Sequence, residues 1–304
     1  MKVAALDLGT NSFLCLIAEV EGGQITKIYS DEVQIVRLGQ DVNRTRQFHP
    51  EALVRARQCL SKFGAAIAQH KPEKILAMAT SAARDVRNSE ELFSIGRELG
   101  IPIEIIPGER EADITFRGAV SGLPNNGQRR AVVDIGGGST EIIAGDSKGV
   151  IYGESLDVGA VRLTEMFFPN QPPSLANMKQ FQEYLNARLR PLAAKIRNLN
   201  VHEVLAVAGT PTELASSTLG GFDPVRIDRY LLSKIELQDW VARFMKTGPE
   251  ERIENFQISR GRADVILAGT LILEAVREEL GVPHLQVSTR GVRFGVALEL
   301  ANSN

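Results

Sequence analysis

Short apolar runs bounded by glycine and proline alternate along this chain with stretches whose apolar residues recur every three or four positions. Residues 2–8 and 13–20 read as strands, and Glu21-Gly22-Gly23-Gln24 as a tight turn into a third strand over 25–35. Residues 50–69 place Leu53, Leu60, Phe63 and Ile67 on one helical face, and Pro72 ends that helix before a strand at 74–79. Asn88 is expected to cap a helix with Leu92, Ile95 and Leu99 inward, followed by a strand at 103–106 and a helix from Pro107 to about Val120. The polar, turn-rich segment 123–128 is the best boundary candidate.

Beyond that boundary the same alternation resumes. A β run ending at Asp134 is followed by strands at 141–145 and 150–156, then a helix over 159–168. Ser174 opens a long helix whose inward positions are Met178, Phe181, Leu185, Leu189, Leu192 and Ile196. A strand at 203–208 leads into a helix from Gly209, and the pattern predicts further helices at 237–246 and 260–280, a strand at 285–287 and a last helix through Leu300. Strands alternating with helices give an α/β fold, and 304 residues exceed what one core usually serves, so two domains are expected, 1–125 and 126–304.

Composition narrows the function classes. With 43% hydrophobic and 24% charged residues the chain is of ordinary globular type, and a formal charge of −2 argues against a protein that coats nucleic acid. No apolar run approaches bilayer length, and the N-terminus turns polar too quickly for a secretory segment, so a cytoplasmic location without membrane attachment is expected. Cys15 and Cys59 stand in apolar patterns without metal-ligand spacing, and the four histidines are scattered. Any metal should therefore be held by oxygen.

The informative stretch is Asp134-Ile135-Gly136-Gly137-Gly138-Ser139-Thr140-Glu141. Three glycines free the backbone for positive φ, letting several N–H groups converge on one anion. Carboxylates beside a phosphate make sense when a divalent cation, ordinarily Mg²⁺, lies between them. A glycine-rich hairpin turn is the plain alternative. Against it, Asp7-Leu8-Gly9-Thr10-Asn11-Ser12 repeats the outline, with Asp7 and Asp134 standing 127 residues apart. Duplication at domain spacing points to two related halves serving one phosphate compound.

These two motifs, with Gly209-Thr210-Pro211-Thr212, resemble those of the actin, Hsp70 and sugar-kinase superfamily. Together with Ala79-Thr80-Ser81-Ala82-Ala83-Arg84-Asp85, Gly108-Glu109-Arg110-Glu111-Ala112, Arg262-Ala263-Asp264 and residues 288–295, they resemble the exopolyphosphatase/guanosine pentaphosphate phosphohydrolase (Ppx/GppA) family over nearly the whole chain. The resemblance implies two actin-like (ribonuclease H-like) domains with an interdomain active-site cleft and a final helix that returns to the first domain. It implies hydrolysis of a terminal phosphoryl group of polyphosphate or guanosine pentaphosphate with Mg²⁺, and a homodimer. Gly9, Thr10, Asn11, Ser12, Gly136, Gly137, Gly138, Ser139, Thr140, Gly209 and Thr210 would cradle phosphate, and Asp7, Asp134 and Glu141 would hold the metal directly or through water.

Glu111 matches the family's catalytic glutamate, which orients and deprotonates the attacking water; local sequence does not separate it from Glu109, since both suit a first helical turn. Arg84 matches a phosphate-contacting arginine, with a salt bridge to Asp85 or Asp113 as the alternative. Arg290 and Arg293 could serve phosphate or fix the last helix against the second domain. Arg188, Arg190, Lys195 and Arg197 could guide a polyanion, though a solvated helix face is the commoner use of such residues. Longer family members carry further helical domains after this core, which bears on long-chain processivity, and Gly261 replaces a frequent acidic residue. A superfamily kinase, an alarmone-binding sensor and an actin-like assembly protein are the rival readings.

Overall fold

Strand β1 (Lys2–Leu8) is apolar on both faces because it lies inside a sheet, flanked by β2 (Ser12–Glu21) and by a later strand over Lys74–Ala79. The computed structural model describes residues 1–302, and the chain divides into two compact units: Met1–Leu123 with the segment from Arg290 onward, and Pro124–Thr289. In the first unit β1, β2 and β3 (Gln24–Ile35) form an antiparallel meander, turned at Gly22 and Gly23, whose φ values of 56° and 75° suit a primed hairpin turn. A single turn, α1 (Val42–Thr45), precedes the long α2 (Pro50–His70). Strand β4 (Lys74–Ala79) then pairs parallel to β1 and leads into the turn α3 (Ser81–Arg84) and α4 (Ser89–Glu98). Strand β5 (Ile103–Ile105) joins parallel to β4, and α5 (Gly108–Val120) follows, giving the order β3-β2-β1-β4-β5.

The period-two alternation of β1 sorts its side chains between two cores. Ala4, Leu6 and Leu8 meet Leu53, Leu60 and Phe63 of α2, with Leu92 and Ile95 of α4. Val3 and Ala5 face the opposite way, with Met78 and Ile114. Asn88 precedes α4 but does not cap it. Its amide oxygen accepts the Phe48 N–H at 2.8 Å, and its amide nitrogen donates to Glu91 at 2.9 Å.

The second unit repeats this plan. Strands β6 (Arg130–Ile135), β7 (Thr140–Asp146) and β8 (Gly149–Leu156) form an antiparallel meander, followed by α6 (Ala160–Phe167) and α7 (Leu175–Arg197). The Ser174 hydroxyl accepts the Asn177 N–H at 3.1 Å and so caps α7, whose Phe181, Leu185, Leu189, Leu192 and Ile196 are buried. Strand β9 (Glu203–Val207) pairs parallel to β6 and feeds α8 (Gly209–Leu219). The turn α9 (Pro224–Ile227), strand β10 (Leu231–Ser233), α10 (Lys234–Phe244), α11 (Pro249–Phe256) and α12 (Ile266–Leu280) precede β11 (His284–Val287). The sheet order is β10-β11-β9-β6-β7-β8.

The larger differences from the sequence reading lie between residues 224 and 265, where α9, β10 and α11 are elements it lacked. Helix α10 begins at the Ser233–Glu236 capping box, ahead of the first inward apolar residue, Leu237. Helix α11 carries no apolar stripe because its buried position is Arg252. Residues 260–265 form turns rather than the start of α12: the Arg252 guanidinium takes the Ala263 carbonyl at 2.8 Å and the Gln171 amide takes that of Asp264 at 2.6 Å.

The last helix, α13 (Val292–Asn302), belongs to the first unit and packs on α5 and β1. Glycines make that contact possible. A Cβ at Gly118 would overlap the Gly291 carbonyl, and one at Gly295 would overlap that of Ile114. Phe294 and Val296 then complete the core beneath Val3 and Ala5, where burying one phenylalanine contributes about 2–3 kcal/mol. Among the described residues no helix is long and apolar enough to cross a membrane.

Candidate active site

Two hairpin tips, one in each unit, close in the same way. Gly9 N–H donates to the Ser12 carbonyl at 3.1 Å, and Gly136 N–H donates to the Ser139 carbonyl at 3.0 Å. Asp7 stands opposite Leu14 on the partner strand, and Asp134 stands opposite Glu141 at the equivalent register. Each aspartate therefore lies near the C-terminal end of the strand that borders the parallel part of its sheet, where ligands of α/β folds collect.

The second tip has all its carbonyls spoken for on one side. The Gly136 oxygen accepts Ala160 N–H at 2.9 Å, the Gly137 oxygen accepts the N–H groups of Val161 and Arg162 at 2.9 and 3.0 Å, and the Gly138 oxygen accepts Arg162 Nε at 2.7 Å. A trans peptide points its N–H opposite to its carbonyl. The N–H groups of Gly137, Gly138 and Ser139 are thus turned away from α6, and among the described residues no protein acceptor takes them. Three consecutive outward N–H groups are an arrangement suited to an anion. The glycines do not achieve this through positive φ, as the sequence suggested; none of Gly136, Gly137 and Gly138 has it. What matters is close approach, because a Cβ on Gly159 would overlap the Gly137–Gly138 backbone.

The first tip is held by a loop instead of a helix. Gly39 N–H donates to the Thr10 carbonyl at 2.9 Å, while Val36 and Arg37 N–H groups donate to that of Asn11 at 3.0 and 2.8 Å. The Thr10 methyl fills the space a Cβ on Gly39 would need. Thr10 and Asn11 are buried, and Gly9 and Ser12 are half-buried. In the second tip Ser139 and Thr140 are buried, and the Thr140 hydroxyl donates to the Val158 carbonyl at 2.5 Å, which turns it inward.

Asp134 and Glu141 are 7% and 1% exposed, and they face each other across β6 and β7. Ser155 Oγ donates to Glu141 Oε1 at 2.6 Å. Like charges directly opposite on a sheet are destabilising. Two buried carboxylates in that relation suit a hard divalent cation, which commonly takes one or two carboxylates and completes its shell with water and phosphate. Asp7 is half-buried in the first unit. Among the described residues no three or more histidine, cysteine, aspartate or glutamate side chains gather as a ready-made metal cluster.

The helix register separates the two glutamates that the local pattern left equal and only the family motif told apart. Glu109 is exposed, whereas Glu111 is 6% exposed and faces inward at the start of α5. Its Oε2 accepts Arg84 Nη1 at 2.6 Å, and the same nitrogen donates to the Ile106 carbonyl at 2.9 Å. Burial pushes the Glu111 carboxyl above the ordinary range, while the Arg84 charge and hydrogen bond oppose that rise. Arg84 thus pairs with neither alternative partner: Asp85 meets Arg46 at 3.4 Å, and Asp113 meets Arg117.

At the β9–α8 junction Ala208 holds φ 72° and ψ −162°, a region that belongs essentially to glycine. Gly209 follows, and the Arg262 guanidinium lies against its Cα where a side chain would stand. Arg262 Nε is 3.6 Å from Glu213, one turn along α8, and burial depresses its pKa against the pull of that carboxylate. Thr210 is buried against Gly269 of α12. The family motif begins at Ala208, but an alanine carries no mark in sequence of the backbone it must adopt. Sequence reasoning passed over Arg162, which contacts carbonyls only visible in three dimensions.

Other basic residues are committed elsewhere. Arg293 forms a bidentate pair with Asp31 at 2.6 and 2.9 Å, and Arg290 donates to Ser121 Oγ at 3.2 Å, contacts that tie the last segment into the first unit. On α7, Arg190 and Arg197 meet Glu279, Lys195 meets Tyr152 and Glu154, and Arg188 stacks on Tyr184. Cys15 and Cys59 are free and buried, each thiol pushed up to about 12 chiefly by burial.

The chain is 35% identical to Exopolyphosphatase 2 of Mycobacterium tuberculosis over 315 aligned positions, covering 99% of this chain and 98% of that protein. The structure of the PPX-GPPA enzyme of Aquifex aeolicus matches with TM-score 0.82 and 32% identity, covering 98% of this chain and 99% of that one. An exopolyphosphatase from Cytophaga hutchinsonii matches with TM-score 0.89 and 26% identity, covering 97% and 96%. Residues 16–304 match the model of the Ppx/GppA phosphatase family, and the chain belongs to that family.

Proposed function

We propose that this phosphatase hydrolyses the terminal phosphoryl group of inorganic polyphosphate, with guanosine pentaphosphate as a second substrate of the same chemistry. The observation that carries the reading is Glu111, a buried carboxylate whose basicity is raised by burial and whose position is fixed by Arg84. Phosphoryl transfer passes through a loose transition state, so catalysis is mainly positioning and charge neutralisation. Glu111 orients the attacking water and accepts its proton as the new bond to phosphorus forms. A carboxylate with a raised pKa serves this better than an ordinary one near about 4.3. Arg84 shifts from Glu111 to the phosphate oxygens when substrate binds, which leaves the carboxylate free to act on water. The outward N–H groups of Gly137, Gly138 and Ser139 bind the anionic chain.

Mg²⁺ is the cofactor this reading requires. The Asp134–Glu141 pair would hold it in the second unit, Asp7 is the carboxylate the first unit offers, and the ion would supply neutralisation of charge on the phosphate oxygens. The names of the relatives favour polyphosphate as the main substrate. The test is phosphate release from short polyphosphate, long polyphosphate and guanosine pentaphosphate with Mg²⁺. Wild type should release phosphate without an acceptor, and Glu111→Gln should lose turnover while still binding the chain. Near-normal turnover in Glu111→Gln removes the residue from the chemistry. Saturable binding without release by wild type favours a sensor instead.

A further inference from the structure

Each hairpin tip has an arginine standing behind it, on the face opposite to the one that would receive phosphate. In the second unit Arg162 Nε donates to the Gly138 carbonyl at 2.7 Å, and its backbone N–H donates to that of Gly137 at 3.0 Å. The Arg162 side chain is 11% exposed, and its carboxylate neighbour Asp157 is 3.7 Å away and 81% exposed. The charged guanidinium thus donates through Nε to the peptide joining Gly138 to Ser139.

In the first unit Arg55 Nε donates to the Val36 carbonyl at 2.7 Å. The N–H of that same peptide, on Arg37, donates to the Asn11 carbonyl at 2.8 Å. Arg55 Nη2 also reaches Gln40 Oε1 at 2.7 Å. One arginine acts on its tip directly and the other through a single peptide.

We propose that Arg162, with Arg55 as its counterpart, is a positioning residue for phosphate binding: it holds the tip from behind and polarises the peptide whose N–H faces the anion. A cation on the carbonyl end of a peptide makes the opposite N–H a stronger donor, because hydrogen bonds in a chain polarise one another. It also fixes the direction of that N–H, since the peptide plane cannot turn while its oxygen is held. The fold thereby places positive charge near a polyanion without placing a side chain in its path. This inference deepens the function proposed above and rests on it for the identity of the ligand.

The experiment uses the full chain, with tripolyphosphate hydrolysis and a calorimetric titration with pyrophosphate measured in parallel. Arg162→Ala should raise KM for tripolyphosphate by about tenfold or more, the scale of one charge-assisted hydrogen bond, with a smaller fall in kcat. Guanidinium added below denaturing concentration should recover part of the loss. A prop that only stabilised the fold would lower the melting temperature without that selective change in KM. Asp157→Asn should behave as wild type. Where Arg162→Ala does not fold, Arg162→Gln carries the test with the same expected rise. KM within twofold of wild type in a folded variant overturns the proposal. Should wild type release no phosphate, the hydrolase reading fails, and pyrophosphate affinity decides alone. Weaker pyrophosphate binding by the variant then supports the inference, while equal binding, or none by wild type, overturns it.

Discussion

Replacing Ala208 by glycine should make the protein more stable, the opposite of the usual effect of adding a glycine. Ala208 sits at φ 72°, ψ −162° between β9 and α8, where its Cβ is in steric conflict with its own backbone. A non-glycine residue held in such a region costs about 1–3 kcal/mol. Glycine relieves that strain but gives the unfolded chain more freedom, which costs about 0.4–1 kcal/mol. The difference favours Ala208→Gly by about 1 kcal/mol, or about 3 °C in the melting temperature of a unit of this size. Differential scanning calorimetry of the two proteins in one buffer measures it, and Ala208→Val should move the other way because a branched Cβ adds to the conflict. An unchanged or lowered melting temperature in Ala208→Gly would refute the claim that strain is stored at this junction. The location gives the strain its interest: the next residue, Gly209, opens α8 beneath the Arg262 guanidinium.

Two further outcomes follow from the carboxylates. The acid limb of kcat/KM should lie above the ordinary glutamate range, because burial raises Glu111 and activity needs it deprotonated; a limb at about 4.3 would count against Glu111 as the base. The stability term has the matching sign: it is fully present below the unfolded pKa of Glu111 and is lost as pH rises through its raised folded value, which urea melts across that window would register. Asp134→Asn should melt higher than wild type in chelator, since it removes one of two opposed charges, and should lose the Mg²⁺-dependent gain that wild type shows; equal Mg²⁺ responses would exclude the Asp134–Glu141 pair as the holder.

Much of the fold was legible because its strands are uninterrupted apolar runs and its long helices carry plain three-and-four spacing. The spacing of Phe181, Leu185, Leu189 and Leu192 is enough by itself to name the buried face of α7. What escaped was structure carried by charge. Helix α11 turns Arg252 inward, a guanidinium whose terminal nitrogens donate to the carbonyls of Phe244, Thr247 and Ala263 while its buried Nε has no partner among the described residues, and burial depresses it to a pKa of about 10. No apolar period can announce such a helix. The candidate site divides along similar lines. The aspartates and glycines of the two tips stand out at a spacing of 127 residues, because a repeated motif survives in one dimension. The choice of Glu111 over Glu109 rested on the family motif alone, the local pattern giving no ground for it until the helix register showed which is buried, and the packing against the glycines had to be seen in three dimensions.

The glycine contact between α5 and α13 also bears on how the chain is assembled during synthesis. The second unit is one uninterrupted stretch, whereas the first lacks Val292, Phe294 and Val296 until the whole second unit has been made. Domains usually fold in the order in which they emerge. Here the order of completion is reversed: the later unit closes first, and the sheet face bearing Val3, Ala5, Leu16 and Ala18 stays open to solvent while it does so. A nascent chain paused before Gly291 would therefore present that apolar face to any chaperone within reach.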